Sequence, residues 1–123
     1  MFIKENVNPK KKVTGDCVIR AISKAEGKEW LTVFDSLVAI SREIFSVPNY
    51  KDTIVRYLSK YPKIDVMHMV GDKRKRYTVN DVSKWSGTYL IDVANHMTMT
   101  CNGNNYDTWD CGNKCAYRIW KVK

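Results

Sequence analysis

Three residues far apart in the sequence are of the types that together perform acyl transfer: Cys17, His96 and a carboxylate, Asp107 or Asp110. The attacking species in cysteine chemistry is the thiolate. Gly15-Asp16 ahead of Cys17 marks a helix start, where partial positive charge and free N–H groups favour that anion. His96 is suited to take the thiol proton and return it to a leaving amine. A carboxylate on the far ring nitrogen would hold the imidazole tautomer and stabilise imidazolium. The plain alternatives are an ordinary buried thiol at Cys17 and a strand histidine at His96, the role expected of His68 between Met67 and Met69.

Strand geometry separates the two carboxylates. Asn102-Gly103 is a strong hairpin signal, and a two-residue turn there pairs Cys101 with Asn104. Opposed residues of an antiparallel pair share a face, and faces alternate along each strand. His96, Thr98, Asp107 and Trp109 then lie on one face, with Asp107 diagonal to His96 and within reach. A turn at Gly103-Asn104 keeps that parity. A three-residue loop would instead set Asp110 opposite His96. Asn-Gly prefers the two-residue turn, so Asp107 is the expected partner, and Asp110 is expected to bond nearby backbone.

The surrounding elements must bring these ends together. Thr14 or Asp16 can cap a helix that starts near Cys17, buries Val18, Ile19, Ala21 and Ile22, and ends at Gly27. Apolar residues from Trp30 to Phe45 recur at helical spacing, predicting a helix over about 29–45, and a shorter one follows over about 51–60. The second half reads as strands: Ile64 to Val70 before the Gly71-Asp72 turn, then Thr88 to Val93, His96 to Cys101, Tyr106 to Asp110 and Ala116 to Val122. A short capped helix is expected over about 78–85. Helices first and an antiparallel meander afterwards predict a segregated α+β domain. The alternating Met residues at 67, 69, 97 and 99 are expected to fill core.

The chain has 123 residues, one domain's worth. Four Trp, seven Tyr and three Phe are too many large apolar groups for a disordered chain. No stretch approaches the ~18 uncharged apolar residues of a membrane span, and the N-terminus lacks a signal pattern, so an intracellular, cytoplasmic protein is expected. The net charge is +8, which attracts polyanions. It concentrates in Lys10-Lys11-Lys12 and Lys73-Arg74-Lys75-Arg76. Each run is a solvated segment or a surface for an acidic partner or nucleic acid. Of the other cysteines, Cys101 belongs near the hairpin tip, and Cys111 and Cys115 beyond its far end. Their spacing is not that of a zinc ribbon or finger, and a Cys111–Cys115 disulfide does not suit a reducing compartment.

Gly15-Asp16-Cys17-Val18-Ile19-Arg20-Ala21-Ile22 resembles the nucleophile helix of small papain-like cysteine peptidases, including compact forms of phages and bacteria. Asn95-His96-Met97-Thr98, Asn102-Gly103 and Tyr106-Asp107-Thr108-Trp109-Asp110 resemble their His strand, hairpin and acid strand. Asp107-Thr108-Trp109 is also similar to the Asn-Ser-Trp of papain-type enzymes, where Trp packs beside the third triad member. Residues 29 to 87 match only in coarse element order. The resemblance implies a papain-like α+β fold, helices packed on a C-terminal antiparallel sheet, across a single domain of residues 1–123. It implies Cys17 as nucleophile, His96 as base and Asp107 as orienting acid in the cleavage of a peptide or isopeptide bond, without cofactor or metal. It suggests a monomeric, phage-encoded protein acting on a protein or peptide substrate in its host cell.

One departure stands out. Papain-type enzymes hold the oxyanion with a Gln shortly before the nucleophile, and this chain contains no Gln. Asn8, or else Asn6, is the available upstream amide, with the Cys17 backbone N–H as second donor. The rival expectations are a non-catalytic basic module that binds nucleic acid or an acidic partner, a papain-like scaffold without turnover, and a zinc module.

Overall fold

The structure, a computed structural model, describes residues 1–123. A short strand β1 (Phe2–Lys4) precedes helices α1 (Cys17–Glu26), α2 (Trp30–Ile44) and α3 (Lys51–Leu58). Strands β2 (Lys63–Ile64), β3 (Met67–Val70) and β4 (Lys73–Arg76) come next, then helix α4 (Val79–Ser83). The chain ends with β5 (Thr88–Val93), β6 (His96–Cys101), β7 (Asn104–Asp107) and β8 (Arg118–Lys121). No helix is long and apolar enough to cross a membrane.

The helices form where their apolar stripes predict. α1 buries Val18, Ile19, Ala21, Ile22 and Ala25, one side of a 3.6-residue repeat. It stops at Gly27, whose left-handed conformation lets its N–H reach the Ser23 carbonyl. α2 buries a narrower stripe, Val33, Leu37 and Ser41. Glu26 ties the end of α1 to α3: its buried carboxylate accepts from the hydroxyls of Tyr57 and Tyr61 and pairs with Lys60 at 3.1 Å.

Six strands make the main sheet, in the order β1-β7-β6-β5-β8-β2. Strand alternation gives it two buried faces. Leu90, Met97, Met99 and Trp120 pack under α1, α2 and α3. Tyr89, Ile91, Val93 and Ile119 point the other way, against Val79 and Val82 of α4, Cys111 and Ala116. The domain is therefore α+β, as expected, with the sheet between a helical layer and a thinner one.

Four expectations are corrected. The sheet is mixed rather than antiparallel, because β1 runs parallel to β7; three residues ahead of the first helix carry too little pattern to announce a strand. The meander covers only β5, β6 and β7, and β8 returns to pair with β5. The run from Ile64 to Val70 breaks in two: β2 joins the main sheet through β8, whereas β3 pairs with β4 in a separate hairpin. Met97 and Met99 fill core, whereas Met69 on that hairpin is exposed.

Candidate functional site

α1 begins at Cys17. Asp16 occupies its N-cap position, yet its carboxylate makes no cap bond. Instead it accepts from Asn8 Nδ2 at 2.9 Å, Trp30 Nε1 at 2.9 Å and Arg20 Nε at 2.7 Å. These bonds hold the start of α1 against α2 and the preceding loop. The first amides of a helix lack intrahelical partners, so the Cys17 end presents free donors.

The hairpin forms in the anticipated register. Cys101 pairs with Asn104, Thr100 with Asn105 and Met99 with Tyr106. The turn residues Asn102 and Gly103 have φ of 46° and 94°, the positive pair a two-residue turn requires. This register carries Asp107 to the face of His96, and His96 Nε2 lies 2.7 Å from Asp107 Oδ2. Cys17, at the start of α1, lines the same cavity as His96. Trp109 packs on the same ring at 4.8 Å between centroids.

Burial works against every charge here, and local partners override it. Burial raises the Cys17 thiol, but hydrogen bonds with His96 and the Met97 backbone, and the charges of His96 and Arg20, bring it below its ordinary value. Burial disfavours imidazolium at His96, yet hydrogen bonds with Asp107, Cys111 and Cys17, and the charge of Asp107, push it up to about 11. Asp107, which burial would raise, is lowered by bonds from His96 and Thr98, by the His96 charge and by the Thr108 N–H. The pattern favours a thiolate beside an imidazolium.

Asn8 sits differently from a free oxyanion donor. Its Nδ2 is bonded to Asp16, while its Oδ1 accepts from the backbone N–H groups of Lys10 at 2.9 Å and Lys12 at 3.3 Å. Asn6 braces the same loop through Asn8 N and the Lys12 carbonyl. Asp110 accepts from Gly112 N at 2.9 Å, the nearby-backbone role expected of it.

Two contributors escaped the sequence reading. Arg20 spans Asp16 and the hairpin, with Nη1 at 3.5 Å from Asp107 Oδ1 and 3.3 Å from Thr108 Oγ1. Its spacing of three from Cys17 places both on one helical face, which was the available signal. Cys111 is fully buried, with Sγ 3.8 Å from Asp107 Oδ2. It lies against the His–Asp pair rather than merely beyond the hairpin's end. The loop after Asp110 has no periodicity, so only the packing of α4 shows where that thiol goes: Asn80 N donates to the Gly112 carbonyl and Val79 N to that of Lys114.

All four cysteines are free, Cys115 exposed and Cys101 near the hairpin tip. His96, Asp107 and Cys111 offer ligand atoms within 4.8 Å of one another. Zinc with bonds of ~2.0–2.3 Å would space its ligand atoms roughly 3.3–3.8 Å apart. The His96–Asp107 separation of 2.7 Å is shorter, and matches a direct hydrogen bond. As arranged, the cluster is suited to acid–base or nucleophilic chemistry.

Cys17 and His96 border an open cleft of about 640 Å³. Ile54 and Val55 of α3, the β5–β6 turn, Tyr117, Arg118 and Trp120 line it. No protein-family model, characterised protein or solved structure matches the chain.

Proposed function

We propose that the protein is a papain-like cysteine hydrolase that cleaves a peptide or isopeptide bond through an acyl-enzyme on Cys17. What supports this reading is the His96–Asp107 pair, with 2.7 Å between Nε2 and Oδ2, at the border of a cleft that Cys17 borders too from the start of α1. A cleft large enough for an extended peptide opens at the same two residues.

In the first step the Cys17 thiolate attacks the carbonyl carbon, forming a C–S bond as the carbonyl π pair moves onto oxygen. His96, as imidazolium, gives its proton to the departing nitrogen as the C–N bond breaks. Water, deprotonated by the now neutral His96, then attacks the thioester. The acid leaves and the thiolate–imidazolium pair is restored. Asp107 keeps the imidazole oriented and its positive form favourable. The Cys17 backbone N–H serves the oxyanion, and Asn8 steadies that N–H through Asp16. Trp109 shields the His96–Asp107 bond from water, which strengthens it.

The test is alkylation by iodoacetamide at neutral pH, mapped by mass spectrometry. Cys17 is expected to react roughly tenfold or more faster than exposed Cys115, as suits a thiol held in its anionic form. His96→Ala removes that preference. Equal reaction of the two thiols in the wild-type protein overturns the reading. It leaves the basic-module alternative, which rests on the exposed Lys73–Arg76 strand and requires salt-sensitive nucleic-acid binding that survives Cys17→Ala.

A further inference from the structure

The β3–β4 hairpin stands apart from the main sheet, and its two faces differ. Met67 opposes Arg76 and Met69 opposes Arg74, so these four share one side. His68, Val70, Lys73 and Lys75 share the other, which meets the body of the domain where His68 stacks on Tyr77 at 4.0 Å. From the Met–Arg side, Arg76 reaches a wall of the cleft. Arg76 Nη1 donates to the Ala116 carbonyl at 3.1 Å, and its guanidinium lies 5.5 Å from the centre of the Tyr117 ring. Tyr117 and Arg118 are walls of the cleft that Cys17 and His96 border, and Lys51 lines it as well. Asp92 is the one carboxylate among the lining residues, and Arg118 already pairs with it at 2.7 Å.

We propose that this Met–Arg face prolongs the cleft and selects polypeptide substrates with acidic residues on the side of the scissile bond that runs past Tyr117. The proposal rests on the reading of Cys17 as the acylated nucleophile. Arg76 is held by a carbonyl and an aromatic face before any substrate arrives, so its planar fork meets a carboxylate with little further ordering. Met67 and Met69 alternate with the arginines along the hairpin and offer adaptable apolar contact to the residues between the acidic ones. A nucleic acid would also answer to arginines. However, the cleft that this row would extend is bordered by a thiol whose partner is a carbonyl carbon, which a polypeptide supplies at every residue.

Short peptides ending in a vinyl sulfone, alike except for Glu or Lys at the positions leading to the electrophile, report the selection as the rate of Cys17 modification by intact mass. The Glu probe is expected to react roughly 5–20-fold faster than the Lys probe, a span that suits one or two partly exposed charge-assisted bonds. Arg74→Glu/Arg76→Glu should reverse that order. Lys73→Glu/Lys75→Glu, with the same change in net charge on the opposite face, should leave the Glu probe ahead. An equal loss in both double variants means a general field and overturns the proposal, as does an unchanged ratio in the arginine variant.

Iodoacetamide, small and neutral, should modify Cys17 at the same rate in all forms. Loss of Cys17 preference with this reagent in the wild-type protein refutes the hydrolase reading instead. Docking is then judged separately on the Cys17→Ala protein, by anisotropy of a fluorescent Glu-rich peptide. Binding that Arg74→Glu/Arg76→Glu abolishes supports the surface. Binding of single-stranded RNA in place of the peptide, with the same arginine dependence, refutes it.

Discussion

Cys17 is subject to opposed influences. Burial favours its neutral thiol, while His96, the Met97 amide and Arg20 favour the thiolate and prevail. The alkylation rate of Cys17 should therefore rise with pH at an inflection below the ordinary thiol value of 9.0, and His96→Ala should move that inflection upward, since the burial remains when the partner is gone. The same groups set a pH dependence of stability. His96, raised from 6.5 to about 11, contributes stability that is complete below 6.5 and fades as pH climbs toward 11. Cys17, lowered from 9.0, acts in the opposite sense and gains as pH rises toward that value. As pH approaches 9.0 the two act against each other; above it only the His96 loss remains. Asp107, lowered from 3.8, contributes above that value and loses its share as pH falls below it. Thermal melting should accordingly drop more between pH 9 and 11 in the wild-type protein than in His96→Ala. An equal drop contradicts the imidazolium assignment.

At the scale of elements, the site depends on one turn and one clamp. The Asn102-Gly103 turn sets the register that carries Asp107 to His96, and this was legible because a two-residue turn and strand alternation are local rules. The clamp was not. α4 begins with a capping box between Thr78 and Asp81, recognisable from sequence, but its grip on the loop from Cys111 to Cys115 is a long-range contact. Gly112 is where that grip is tightest: a Cβ there would stand 2.2 Å from Asn80 Oδ1. Gly112→Ala should cost about 1–3 kcal/mol, the usual penalty of overpacking. Adding Asn80→Ala should recover much of it, because the clash is with that side chain. Urea unfolding of the three variants checks both expectations, and a double variant no more stable than Gly112→Ala would place the strain elsewhere.

Across the whole molecule, the candidate site is assembled from the chain's beginning, from α1 and from the final third. β1 covers the outer edge of β7, Lys4 pairs with Asp107, and Glu5 N donates to the Asp107 carbonyl at 2.8 Å. Removing residues 1–5 should expose that edge, lower the melting temperature and reduce the selective alkylation of Cys17, because the backbone that aims Asp107 loses its outer support. A truncated protein that melts lower but alkylates Cys17 as before would assign β1 to stability alone.

Local rules of the chain were enough for the helix that starts at Cys17, the hairpin, and the shared face of His96 and Asp107. Those follow from periodicities of 3.6 and 2 and from the φ that an Asn-Gly turn demands. Packing between distant segments sets the rest: β1 runs parallel at the sheet's edge, β8 returns beside β5, Arg20 reaches Asp107, and Cys111 lies against the His96–Asp107 pair. Each of these joins segments with no local pattern linking them. Their partners are chosen by which edges and apolar faces remain uncovered once the local elements have formed.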